Sequence, residues 1–465
     1  MSSGKLIPRR SILKGTAAAA SMGPLFASAA TAGKAGSDIG GLLTGPPQKN
    51  PTMIGVPFEK HDVIRFGVIG TGVRGTTTLA EMLKFPGVEV TAICDVLPSK
   101  TGDAVKLIES MGKPVPAVVV DGDHGFERLV ERDDVDFVYI ATPWEWHFPQ
   151  AMAALKAGKH VGCEVPLSYD LEEMWQLVDA SEAARKHCMM LENCCYDYDE
   201  LLVLNMVRAG AFGELVHGEA AYNHDLRSIL LGTSDRGKWR RHHHTLRDSN
   251  LYPTHGLGPV ANYMNINRGD RFKSIVSMSS GCFGLNQYRE DHVAKGDPMF
   301  AEKYICGDYN TSLIKTDKSK SVLLQHNESL PRPYDRINLI HGTKGVFRGY
   351  PSRIYLDADV KDDKDLDVWK NLDPYKEKYE HSLWRLEGEI ARKTGGHGGM
   401  DYLMMYRLVE CLREGLVPDM DVYDATTWSA PGPLSQISVA GGSIPIDFPD
   451  FTRGRWEAKR DSIPS

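Results

Sequence analysis

Ile64-Arg65-Phe66-Gly67-Val68-Ile69-Gly70-Thr71-Gly72-Val73-Arg74-Gly75 is the stretch on which the fold turns. A short apolar run of strand length leads directly into G-x-G-x-x-G, residues 74–84 carry helical spacing, and residues 89–95 form a second β-like run ending in Asp95. That order is a βαβ unit. Its glycines, Gly70, Gly72 and Gly75, allow a tight turn and the close approach of a pyrophosphate. The pyrophosphate would rest on the helix N-terminus, where free N–H groups and the helix dipole favour negative charge. Asp95 follows Gly70 by 25 residues, placed to accept hydrogen bonds from adenosine ribose hydroxyls. A carboxylate there repels a 2′-phosphate, so the expected cofactor is NAD rather than NADP.

Outward from this unit the alternation continues, with candidate strands at 117–120, 135–142, 160–164 and 189–192 and helices at 147–158 and 171–187. Strands alternating with helices predict a doubly wound parallel sheet, an α/β Rossmann domain over 63–192. After Asn193 the pattern changes. Runs at 215–222, 272–279, 309–315, 321–326, 337–342 and 353–356 are β-like, several joined by turns, with a hairpin around Asp317-Lys318-Ser319. Helices are predicted at 255–265, 375–392 and 402–414. Residues 193–465 are therefore expected to form an α+β domain on a mostly antiparallel open sheet, the substrate-binding domain. A length of 465 residues suits two such cores.

Before the first strand, Pro8-Arg9-Arg10-Ser11-Ile12-Leu13-Lys14 precedes an alanine-rich apolar stretch and Ala27-Ser28-Ala29. This order predicts a twin-arginine signal peptide over 1–32 and export to the periplasm or beyond the cell. Residues 33–62, rich in Gly, Pro and Thr, are read as a linker or surface arm. A net charge of -7 argues against a nucleic-acid partner, and no other stretch reaches the ~20 apolar residues of a membrane anchor. The eight cysteines show no CxxC and no zinc spacing. Cys194 and Cys195 are expected as packed strand thiols. His242-His243-His244 do not share a face of a helix or a strand, so no metal site is expected.

Two further segments follow predicted strands, where the carboxyl ends of a parallel sheet face the ligand crevice. In Ala141-Thr142-Pro143-Trp144-Glu145-Trp146-His147 the proline and tryptophan are suited to wall the nicotinamide ribose. Cys163-Glu164-Val165-Pro166 ends the next strand. These segments resemble the large oxidoreductase family of glucose-fructose oxidoreductase and inositol dehydrogenase, whose corresponding strand ends in Glu-Lys-Pro. Val165 stands in place of that lysine, which argues against simple alcohol dehydrogenation.

Together with Tyr252-Pro253-Thr254-His255-Gly256-Leu257-Gly258-Pro259 and Gly395-Gly396-His397-Gly398-Gly399, the segments resemble the NAD-dependent α-N-acetylgalactosaminidase family of glycoside hydrolases. At matching positions the resemblance implies NAD contacts from Thr71, Gly72, Val73 and Arg74, from Asp95, from Trp144, Glu145, Trp146 and His147, and from Glu164, Val165 and Asn193. It implies sugar contacts from Tyr222, Arg240, Tyr252, Pro253, Thr254, His255 and Tyr334. Read without it, Tyr222 is a half-buried sheet tyrosine and His255 a helix cap or packed histidine. His397, between two glycine pairs, reads as a flexible lid carrying a general acid or base.

Ordinary glycosidases set two carboxylates across the scissile bond, and no such pair is evident here. The mechanism implied by the resemblance is oxidation of the sugar at C3 by NAD, elimination across C1–C2, addition of water and re-reduction. Tyr252 and His255 are then acid/base candidates at C2–C3, and His397 the group that protonates the leaving group or activates water. The rival expectation is an exported NAD(P)-dependent sugar oxidoreductase of the glucose-fructose type. A glycan substrate is expected in either case, and self-association is left open.

Overall fold

The computed structural model describes residues 39–460 and 462–465; the predicted export signal at 1–32 lies outside the described residues. Six strands, β1 (Ile64–Ile69), β2 (Val88–Cys94), β3 (Ala117–Val119), β4 (Phe137–Ile140), β5 (His160–Cys163) and β6 (Cys188–Met190), form one sheet. Its order is β3-β2-β1-β4-β5-β6, and all five pairings are parallel. Helices cover both faces, so β4 and β5 are buried along their whole length and read as unbroken apolar runs. The order reverses between β1 and β4, the switch point outside which ligands bind in such sheets.

The second sheet contains β7 (Leu215–Asn223), β8 (Phe272–Ser279), β9 (Asn310–Thr316), β10 (Ser321–Asn327), β11 (Leu339–Gly342), β12 (Gly345–Arg348), β13 (Arg353–Leu356) and β14 (Ile446–Asp447). Its order is β13-β12-β11-β7-β10-β9-β8-β14. It is antiparallel except where β10 runs parallel to β7, with Tyr222 beside His326. The hairpin expected around Asp317-Lys318-Ser319 joins β9 to β10. Both sheets belong to one compact unit, Asp38–Ser465. No helix of the described residues is long and apolar enough to cross a membrane.

Three local expectations differ from the structure. The helix expected at 375–392 is two, Asp373–Tyr379 and Ser382–Thr394, with His381 capping the second by accepting from the Leu383 N–H. Cys194 and Cys195 lie not in a strand but in the 3₁₀ turn Asn193–Tyr196, as buried free thiols. The segment before β1 is anchored rather than loose. Met53 and Phe58 are buried, the Trp175 indole donates to Leu42 O at 2.8 Å, and the Tyr423 hydroxyl bonds Thr52 at 2.7 Å. Scattered apolar anchors among Gly and Pro carry no periodicity, so composition left linker and surface arm open; the described residues 39–62 form the arm.

One contact sets the relation between the sheets. A Cβ on Gly256 would fall 2.4 Å from the backbone nitrogen of Ala221 in β7, and one on Gly258 would press on Glu192 and Cys195. The helix Thr254–Tyr263 can lie this close to β7 and to the end of β6 only because both positions lack a side chain.

Candidate active site

The glycine loop divides its work. Gly70 has φ +87°, and a Cβ there would meet the Ala141 backbone at 2.8 Å; a Cβ on Gly75 would lie 1.8 Å from Gly70 O. These two glycines serve the turn and the packing of helix on strand. At Gly72 an added Cβ meets nothing within 4 Å, so that glycine answers to something outside the chain. Gly72 is also the N-cap of helix Val73–Met82, which has no side-chain cap and no acidic residue in its first turn. Open approach, free N–H groups and a positive dipole end fit the pyrophosphate of NAD. Asp95, just past β2, accepts from the Thr71 N–H at 2.8 Å and the Leu97 N–H at 3.0 Å, which fixes the carboxylate at the crevice edge.

The other residues expected around the cofactor follow β4, β5 and β6. Trp144, Glu145 and Trp146 form a 3₁₀ turn after β4. Trp144 is buried, Trp146 packs edge-on against Phe126, and Glu145 lies 3.6 Å from His243. His147 is enclosed, its ring nitrogens 2.7 Å from Pro166 O and 2.9 Å from Thr142 O, so its side chain braces these two loops. Val165 is buried beside it. Val73 is exposed at the start of its helix, and Thr71 is buried. Glu164 accepts from Arg74 Nε at 2.7 Å and from the Tyr139 hydroxyl at 2.8 Å. Asn193, after β6, is also buried.

The residues expected around the sugar gather beside this crevice. The ring of Tyr252 lies 4.5 Å from that of Tyr222, 4.8 Å from His255 and 5.6 Å from Trp144. Tyr334 stands edge-on to Tyr222 at 5.9 Å. The Arg240 guanidinium lies over Trp144 at 4.8 Å and over Tyr252 at 5.0 Å, contacts worth about 2 kcal/mol each where desolvated. Pro253 and Thr254 are buried at the head of the histidine's helix and present no exposed side chain. In the triplet, His243 packs on Trp144 while His244 reaches Glu328 at 3.2 Å, so the three do not converge.

Three carboxylates that no motif marked organise the site. Glu192, fully buried just after β6, accepts from His255 Nδ1 at 2.7 Å. Burial by itself would raise its pKa, but the imidazole of His255 and the Cys194 N–H hold it below the usual range, so it is ionised at neutral pH. Being ionised it can only accept, which places the proton of neutral His255 on Nδ1 and leaves Nε2 as the basic nitrogen. Glu328, buried after β10, holds Arg240 at 3.2 Å; the pair keeps the guanidinium charged against the cost of burial. Asp401, in the first turn of helix Met400–Glu414, accepts from His397 Nδ1 at 2.7 Å. Glu192 was detectable from its place at a strand's carboxyl end, and Asp401 from its i,i+4 spacing to His397. Glu328 gave no signal.

Glu192, Cys194 and His255 bring ligand-type atoms within 4.8 Å of one another, the one such trio among the described residues. At 2.7 Å, however, the imidazole and carboxylate are bonded directly, closer than the roughly 3 Å that separates ligands around a tetrahedral zinc. Tyr252 stays a neutral phenol. Burial raises its pKa well above the ordinary value, against the pull of Arg240, so it can donate a proton but is poorly suited to remove one.

Residues 196–458 match the family model "Glycosyl hydrolase 109, C-terminal domain", and residues 64–192 match "Oxidoreductase family, NAD-binding Rossmann fold". A glycosyl hydrolase family 109 protein of Solibacter usitatus is 54% identical over 424 residues, 91% of this chain and 96% of that protein. One of Saccharopolyspora erythraea is 49% identical over 95% of this chain and 96% of its own length. Among solved structures, an inositol dehydrogenase homolog with NAD+ from Azotobacter vinelandii has a TM-score of 0.63 at 18% identity, covering 84% of this chain and 99% of that one. Levoglucosan dehydrogenase with NADH and levoglucosan has a TM-score of 0.61 at 19% identity, covering 83% and 99%. At such identity these two establish the shared fold.

Proposed function

Because this chain belongs to the glycosyl hydrolase 109 family and carries an NAD-binding Rossmann domain, we propose that it is an α-N-acetylgalactosaminidase-like hydrolase that releases a terminal sugar through redox-assisted elimination. The observation that carries this reading is the buried Glu192–His255 pair beside the Tyr222–Tyr252–Arg240 cluster, at the carboxyl end of the parallel sheet. The glycine loop, Asp95, the turn at Trp144 and the Glu164–Arg74 pair would hold NAD. When bound, it supplies a hydride acceptor and donor for C3 of the sugar.

The remaining work falls to side chains. A ketone at C3 acidifies the hydrogen on C2, so a base of ordinary strength can remove it. His255 suits that role: its Nδ1 is tied to Glu192, and its Nε2 lone pair is available. Tyr252 and Arg240 present a phenol and a fixed positive charge to the developing oxyanion, the stabilisation that preorganised donors give. Departure of the aglycone from C1 requires a proton, which we assign to His397. Tyr222 and Tyr334 offer ring faces and hydroxyls to the pyranose. The twin-arginine signal expected over 1–32 supports a location outside the cytoplasm as part of this reading.

Val165, where the related dehydrogenases carry lysine, favours hydrolysis over net oxidation. Incubation with a panel of α- and β-nitrophenyl glycosides tests the reading. Release of nitrophenol with no rise at 340 nm, with α-N-acetylgalactosaminide the fastest, is the expected result. Stoichiometric NADH accumulation from free sugar and added NAD, without glycoside cleavage, would establish a dehydrogenase instead.

A further inference from the structure

We infer that Asp401 is a positioning residue that joins His397 to the floor of the cofactor crevice, so that the imidazole and the nucleotide site behave as one unit. For the role of His397 the inference rests on the glycosidase reading; for the coupling it stands on geometry alone.

The geometry is a convergence. Asp401 is completely buried, and its two oxygens hold three partners from three parts of the chain. Oδ2 accepts from His397 Nδ1 at 2.7 Å and from Arg74 at 2.8 Å, and Oδ1 accepts from the Asn193 amide at 2.6 Å. Arg74 is the second residue of the helix that follows Gly72, and its Nε donates to Glu164. Thus Arg74 and Asn193, both expected to touch the cofactor, meet the histidine of the glycine turn at a single carboxylate, and Glu164 joins through Arg74.

The glycines around His397, expected to form a flexible lid, include two that also serve packing. A Cβ on Gly396 would lie 2.5 Å from Asp401 Oδ2, so that glycine admits the carboxylate to the turn; one on Gly399, at φ +110°, would strike Ala391 at 2.9 Å. His397 itself has φ 51°, a left-handed conformation that costs a non-glycine residue about 1–3 kcal/mol unless its surroundings hold it. The bond to Asp401 is the side-chain contact that holds it. The ring is otherwise well exposed, 61% of its side chain open to solvent. Burial would raise the Asp401 pKa, but His397 and Arg74 hold it far below the usual carboxylate range. An ionised carboxylate accepts the His397 Nδ1–H and turns Nε2 outward; the proton delivered to the leaving group is the one Nε2 carries in the imidazolium form, while the Nδ1–H stays on Asp401.

The test uses the full chain with Asp401→Asn, His397→Ala and the double variant. Asp401→Asn should lower the rate on an alkyl glycoside by about 10–100-fold and on a nitrophenyl glycoside much less, because only the alkoxide needs a proton to leave. Added to His397→Ala it should cost less than about threefold more, since the two act as one unit. Equal losses on both substrates, or full multiplication of the two losses, would overturn the inference. In the wild type, the ring resonance of His397, assigned by its absence in His397→Ala, should move between the NAD-bound protein as purified and the same protein stripped of its nucleotide. In Asp401→Asn that movement should vanish; an unchanged movement would also overturn the inference. If Asp401→Asn fails to fold, Asn193→Ala leaves the charge in place and cuts one arm, and should diminish the same movement. A wild type that cleaves no glycoside would defeat the glycosidase reading, while the resonance still decides the coupling.

Discussion

A histidine bonded through Nδ1 to a buried carboxylate has one nitrogen left for chemistry, and this chain builds that arrangement twice, at Glu192–His255 and Asp401–His397. The histidines were legible because the motifs around them are dense. The carboxylates were marked only by position, Glu192 at a strand end and Asp401 four residues from His397, and nothing in sequence gives the burial that makes them effective. Both are held below their ordinary pKa values, so each stabilises the fold fully above about pH 4, its range when unfolded. That contribution is lost as pH falls through the lowered values. Urea unfolding should therefore show stability declining below about pH 4, and less steeply in His397→Ala, which releases part of the hold on Asp401; identical slopes would dissociate the pair from stability. Gly72 makes a separate prediction. Because an added Cβ meets no protein atom there, Gly72→Val should melt at nearly the temperature of nucleotide-free wild type while abolishing NAD retention, as the branched side chain occupies the pyrophosphate's place. Full NAD content in the folded variant would remove the loop from the site.

Among the elements, the parallel strands were the easiest to read, because burial on both faces writes the central ones, β4 above all, as apolar runs between helices of clear period. The helix Asp235–Leu246, which carries Arg240 and the histidine triplet, was missed: it is too polar and too rich in histidine for its buried stripe of Arg240, His243 and His244 to look apolar. Its stripe faces the site rather than a hydrophobic core. The run His255-Gly256-Leu257-Gly258-Pro259 looks equally unsuited to a helix by propensity, and tertiary contact explains it. Its glycines are where β7 and the end of β6 press against the helix. Gly256→Ala should cost about 1–3 kcal/mol of stability, the usual range for overpacking, and should lower the rate beyond any change in NAD content by moving His255 away from Glu192. Chemical denaturation beside a nucleotide assay separates these effects. A neutral result would mean that helix and strand can separate without consequence.

At the scale of the molecule, the bonds His255–Glu192 and Asp401–Arg74 cross between the two segments matched by separate family models. In the proposed chemistry the nucleotide is regenerated in every turnover and has no need to leave. The purified protein should accordingly contain about one NAD per chain without supplementation, found by denaturation and nucleotide analysis; full activity from nucleotide-free protein would contradict this. The two-sheet architecture was legible from the change of pattern after Asn193, whereas the crossing bonds were not, since they join residues 63 to 327 positions apart. Their purpose in the proposed chemistry is to hold a base at C2 and an acid at C1 of one sugar. Direct displacement at C1 never breaks the C2–H bond, whereas elimination breaks it in every turnover. The decisive measurement is proton NMR of the sugar released in heavy water, combined with the rate on substrate deuterated at C2. Deuterium at C2 of the product, with the C3 hydrogen retained, is the expected result. A full C2 hydrogen signal together with no rate effect of C2 deuteration would contradict elimination and leave ordinary hydrolysis.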